Sequence, residues 1–115
     1  MIRVTQNGNK VMIDAITASV DKFHLFTDDG ELTGHGYSPI QVDPTLWDRG
    51  AYPMQEWTFA GGDTTKVIGY FASSKDGTIL FDENFQDDSE DDFIIKNEGD
   101  KIKISVRLML ITQGG

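Results

Sequence analysis

The chain contains no cysteine. This excludes disulfide frameworks, thiol nucleophiles and zinc sites built on thiolates, so stability has to come from packing. It leaves the compartment open, because a cysteine-free chain tolerates reducing and oxidising surroundings alike. Basic residues are scarce as well: 10 Lys and Arg stand against 19 Asp and Glu, a formal net charge of −9. Such a field repels phosphate backbones unless a local basic stripe overcomes it. No such stripe is visible, and nucleic acid is not expected as a partner. No window approaches the roughly 18–20 continuous apolar residues needed to cross a bilayer as a helix. Nothing reads as a secretion signal either, so no membrane partner is expected. Histidine occurs twice, at His24 and His35, too few for a histidine-rich metal site.

What the sequence does have is alternation. In Lys101–Thr112 the residues Ile102, Ile104, Val106, Leu108 and Leu110 all fall on even positions, while Lys101, Lys103, Ser105 and Arg107 take the odd ones. Side chains of a strand alternate faces, so this is one long strand with a buried face and a wet face. Met109 and Ile111 break the odd series and predict that the outer face becomes covered near the C-terminal end.

Other segments add to the same class. Ile2–Thr5 reads as a short strand, followed by a turn at Gln6-Asn7-Gly8-Asn9. Lys10–Ser19 fits both periods; a short helix is favoured, with Val11, Ala15 and Ala18 at helical spacing and Asn9 as the cap. Phe23–Thr27 is a strand with Phe23 and Leu25 on one face and His24 and Phe26 on the other. Turn-prone residues crowd the stretch from Asp28 to Pro53, and alternation resumes over Gln55–Ala60. Lys66–Ser73 and Thr78–Phe85 flank Ser74-Lys75-Asp76-Gly77, whose Asp-Gly pair supplies the positive φ angles of a tight hairpin turn. A chain of 115 residues is near the modal size of one domain, so a single domain over residues 1–115 is expected. The fold class is mainly β: an antiparallel β-sandwich or small barrel of six to seven strands, with one short N-terminal helix.

No constellation fixes a chemistry. The run Asp82–Asp92 carries seven carboxylates in eleven positions, including Asp87, Asp88, Glu90, Asp91 and Asp92. Calcium would take six to eight oxygen ligands from such a loop, but the ordered Asp-x-Asp-x-Asp-Gly spacing is absent. A solvated loop or an acidic docking patch fits better, and no cofactor or metal is expected. Paired-carboxylate catalysis needs one acid shielded enough to hold a proton, the opposite of a loop full of like charges. No serine stands in a Gly-x-Ser-x-Gly elbow, and Gly61-Gly62 lacks the Lys-Ser/Thr of a phosphate loop. Trp57, Phe59, Tyr70, Phe71 and Phe81 lack the interleaved basic residues of a stacking platform and read as core. No catalytic residue is assigned, and an enzyme is not expected.

The order of segments resembles small structural proteins of tailed bacteriophages. The resemblance is carried by Lys22–Asp29 (KFHLFTDD), Glu31–Ile40 (ELTGHGYSPI), Gln55–Gly62 (QEWTFAGG), Val67–Phe85 (VIGYFASSKDGTILFDENF) and Asn97–Leu110 (NEGDKIKISVRLML). It implies a non-enzymatic virion component, made in the host cytoplasm and displayed on the capsid surface: a head decoration or cement protein that binds the major capsid protein or another virion protein. The acidic run departs from that pattern, where the corresponding segment is shorter and less charged. A homo-oligomer, with a trimer as one arrangement, accords with such a role. The contact surface is placed in the irregular segment, on Tyr37, Pro39, Ile40, Trp47 and Tyr52, because Tyr and Trp are enriched in interface cores. Two other classes compete: an acidic protein-binding module that mimics nucleic acid, and a carbohydrate-binding or hydrolytic jelly roll using Trp47, Trp57 and the acidic loop.

Overall fold

A computed structural model of the chain describes residues 2–85 and 93–109. The first element is α1 (Gln6–Ser19), which starts four residues earlier than the pattern predicts. Thr5, not Asn9, caps it: the Thr5 hydroxyl accepts from the Gly8 N–H at 3.0 Å, satisfying one of the orphan donors of the first turn. Ile2–Thr5 is therefore no strand and Asn7-Gly8 no turn, because the cap converts the Asn-Gly pair into helix. An i,i+4 pair, Lys10 with Asp14 at 2.8 Å, supports the middle. The helix stops at Val20, which is extended (φ −72°, ψ 126°).

Nine strands follow among the described residues, all antiparallel, four of them only two residues long. The principal sheet is built on β1 (Lys22–Thr27). The short β2 (Gly30–Glu31) and β3 (Ile40–Gln41) share one edge of β1, at Thr27↔Gly30 and Phe23↔Ile40. The other edge pairs with β6 (Gly69–Ser73), which pairs in turn with β7 (Ile79–Asn84). The β6–β7 hairpin turns at Ser74–Gly77 as the Asp-Gly signal predicts, with Gly77 at φ 88° and the Ser74 N–H donating to Thr78 O at 2.9 Å. The run expected as one strand over Lys66–Ser73 is divided, because Thr65–Lys66 forms a separate β5 that pairs with β8 (Ile94–Ile95).

β4 (Ala51–Thr58) pairs with β9 (Lys101–Arg107), interrupted by a bulge between Tyr52 and Gln55, where Pro53 has no N–H to give a ladder. β9 alternates as its sequence demands: Ile102, Ile104 and Val106 are buried, and Lys101, Lys103, Ser105 and Arg107 are exposed. The expected cover over its C-terminal end is not present at Met109, which is exposed, and the strand ends at Arg107; Leu110–Thr112 lie outside the described residues. Inward residues of both sheets meet in one sandwich-like core: Phe23 and Leu25 from β1, Tyr70 and Ala72 from β6, Trp57 from β4, and the even residues of β9. Among the described residues no helix is long and apolar enough to cross a membrane.

Candidate functional site

The irregular segment from Glu31 to Tyr52 turns its aromatic rings inward. Tyr52 is buried at the start of β4, its ring edge-on to Phe23 at 5.2 Å, and its hydroxyl accepts from the Asp43 N–H at 2.8 Å. Trp47 packs on Tyr52 at 4.9 Å and on Phe23 at 6.1 Å; its indole N–H is buried without a partner among the described residues. Tyr37 is half-buried. Its hydroxyl accepts from the Leu25 N–H at 3.0 Å and donates to Glu31 Oε2 at 2.8 Å. Burial, then the Glu31 carboxylate, push that phenol above its ordinary pKa. Ile40 pairs with Phe23 and packs on the core, and Pro39 is half-buried. Of the five residues expected to form an outward contact surface, Tyr52 is buried, and Tyr37, Pro39, Ile40 and Trp47 are half-buried, each with part of its side chain still at the surface. A segment with few ladder hydrogen bonds is held by these rings, which pack on the core, while the hydroxyls of Tyr37 and Tyr52 accept from backbone N–H groups. The acidic residues Asp87, Asp88, Glu90, Asp91 and Asp92 lie outside the described residues. Among the described residues no group of three or more His, Asp and Glu is placed to hold a metal ion.

Outward apolar side chains occur on α1, and also at Leu46 in the irregular segment and at Met54, Ile79 and Met109 on the β body. Only Thr17 of the fourteen residues of α1 is buried. Val11, Ala15 and Ala18, the three positions that first indicated a helix, share the solvent face; Val11 is 67% exposed, and Met12 beside it 39%. Ile2, ahead of the cap, is 92% exposed. The opposite face carries Ile13, Ile16 and Thr17. Ile13 reaches Gly50, where an added Cβ would come within 3.2 Å of its Cγ2 and 2.6 Å of Leu108 O. Arg49 and Gly50, both at positive φ (51° and 84°), form the two-residue turn that joins Asp48 to Ala51. That turn is where the helix meets the body.

Two open grooves border α1. One, about 420 Å³, lies between Lys10, Ile13, Asp14 and Arg49. The other, about 610 Å³, lies between the C-terminal end of α1 and the β6–β7 turn, with Val20, Val42, Asp21, Gln41, Ser74 and Asp76 in its wall.

Both histidines bridge separate elements, which no local pattern indicated. His35, at φ 55°, places Nδ1 2.9 Å from Ala60 O and Nε2 2.9 Å from Thr65 Oγ1, tying the loop after β2 to the one after β4. His24, stacked on Phe71 at 4.4 Å, places Nδ1 2.7 Å from Glu31 Oε2 and Nε2 2.8 Å from Ser73 Oγ. The order Ser–His–Glu is that of a nucleophile, base and orienting acid. Ser73, however, is only 5% exposed within β6, and neither groove is lined by Ser73, His24 or Glu31. The three side chains fasten β2, β1 and β6 across the outer face of the sheet.

No protein-family model matches the chain, and no curated protein or solved structure matches it either. The reading of its task therefore rests on its own surface.

Proposed function

We infer that the protein is a non-enzymatic structural component of a tailed-bacteriophage virion, a capsid decoration or cement protein that binds the head surface and stabilises the particle. The observation that carries this reading is the outward apolar face of α1. Val11 and Met12 stay outward with Ala15 and Ala18 on the same side of the helix, and apolar side chains kept on an outer helix face suit a contact surface. Here it stands on a β body with a single core that gathers Phe23, Tyr52, Trp57, Phe59 and Tyr70, the construction a cementing module needs. Contacts that are individually modest add up when many copies bind one shell. The segment order that resembles phage structural proteins supplies the kind of partner, a major capsid protein or another virion protein.

Mass spectrometry of purified particles tests it. A copy number near that of the major capsid protein is the expected result. A handful of copies moves the protein to the tail or portal, and absence overturns the virion role.

The Ser73–His24–Glu31 chain favours a second reading, nucleophilic hydrolysis. Burial of Ser73 weighs against it. A fluorophosphonate probe separates the two: no adduct on Ser73 is expected, and a stoichiometric adduct lost in Ser73→Ala would establish a hydrolase.

A further inference from the structure

We propose that Asn7–Gly8 is a latent deamidation site and that the Thr5 cap of α1 keeps it closed.

Of the four asparagines, Asn7, Asn9, Asn84 and Asn97, only Asn7 precedes a glycine. The reaction at such a pair begins when the Gly8 amide nitrogen loses its proton and attacks the side-chain carbonyl carbon of Asn7. A C–N bond forms, and the side-chain nitrogen leaves as ammonia, taking up the proton. Water then opens the cyclic imide at either carbonyl, which leaves an aspartate or an isoaspartate at position 7. Glycine favours the closure, because it has no Cβ to obstruct the ring and the freest backbone.

The folded chain opposes that attack at each step. The proton that must leave is held in a hydrogen bond from the Gly8 N–H to Thr5 Oγ1, at 3.0 Å. The Asn9 N–H donates to Thr5 O at 2.8 Å, so the two peptide units that follow Asn7 are both tied to the cap residue. Asn7 lies within α1, and closing the ring has to rotate its backbone out of the helical region and break both bonds. Asn7 is exposed to water, so protection comes from the cap and not from burial.

The same geometry accounts for the glycine. A Cβ at position 8 would come within 3.1 Å of Val4 Cγ1 and 3.3 Å of Thr5 Oγ1, so the cap is built around the residue that makes its neighbour labile. The two products differ in effect. An aspartate adds negative charge to a first turn that has none, where the positive end of the helix favours it. An isoaspartate lengthens the backbone by a methylene and shifts Gly8 away from the Thr5 hydroxyl.

The test incubates the full chain in mildly alkaline buffer made with ¹⁸O-labelled water. Peptide mapping by mass spectrometry locates the converted asparagine, and isoaspartyl methyltransferase counts the branched product. The blocked peptide of residues 4–11 is the uncapped reference. The parent is expected to react more slowly than the peptide, and Thr5→Ala to react about fivefold faster than the parent, the change in open population that loss of a threonine cap gives. Thr5→Ser keeps the accepting oxygen and is expected to stay near the parent rate. Urea unfolding of Thr5→Ala checks that the β body remains folded. Hydrogen exchange of the Gly8 amide in the parent needs no variant, and protection relative to the peptide is expected. Equal rates in parent and peptide, an unchanged rate in folded Thr5→Ala, earlier conversion at Asn9, Asn84 or Asn97, or an unprotected Gly8 amide overturns the proposal.

Discussion

Single side chains do two jobs in the irregular segment, and Tyr37 is the clearest case. Its phenol serves as a surrogate strand partner for the Leu25 N–H and fixes Glu31, which in turn holds His24. Tyr37→Phe keeps the ring and removes the acceptor, leaving a backbone donor of β1 unpaired. Urea unfolding of that variant is expected to show a loss of about 1–3 kcal/mol. Asp76 makes a prediction in pH. Its carboxyl is depressed from 3.8 to about 2 by the Ser74 and Thr78 donors, so its contribution is fully present above the unfolded pKa and is lost as pH falls from about 4 through 2. Asp43, held down by Thr45, and Asp100, held down by the N–H groups of Asn97 and Lys96, act in the same direction. Urea midpoints at pH 5 and pH 2.5 should therefore differ less in Asp76→Asn than in the parent. An equal drop in both would show that Asp76 titrates alike in the folded and the unfolded chain and overturn this account.

At the scale of elements, α1 separates what pattern can tell from what it cannot. Spacing shows that Val11, Ala15 and Ala18 share a face but not which way that face points, and in the folded chain it points to solvent. Val11→Asp places a charge on that face without touching the core. The expected outcome is a thermal midpoint essentially unchanged, within about 0.5 kcal/mol, together with loss of the variant from particles when it competes with the parent; equal incorporation would detach the helix from the contact. β9 was legible in full up to Arg107 because a strand with one buried face has no other register available. The β6–β7 turn was legible because only a few residue pairs tolerate positive φ in succession. Tyr52 was not, since its burial depends on the pairing of β4 with β9 some fifty residues later, and Trp47 was not, since it packs on Phe23 of β1 and on Tyr52. The start of α1 was hidden by an Asn-Gly pair whose turn preference the Thr5 cap overrides. The Ser73–His24 contact spans 49 positions and follows only from the β1–β6 register, so no motif could have announced it.

For the whole molecule, shape and charge set the terms of association. The radius of gyration is 15.9 Å, against about 13 Å for a compact domain of some 100 residues, and the extents are 50 × 29 × 23 Å. An elongated body of net charge −9 offers much surface and repels its own copies, so the proposed attachment to a shell would need a component that salt does not remove. Raising sodium chloride from 0.1 to 1 M shortens the screening length from about 10 to about 3 Å and leaves apolar contact intact. Sedimented particles washed at 1 M are expected to retain most of their copies; release of most of them would assign the contact to charge.

The edge of β1 has a consequence for such crowded display. β2 and β3 occupy its two ends, and the phenol of Tyr37 claims the amide between them. A foreign backbone approaching there meets no vacant donor at the midpoint. A second copy that meets this side finds no ladder to extend there, so the edge of β1 is closed to the strand-to-strand pairing that drives exposed sheets toward fibrils.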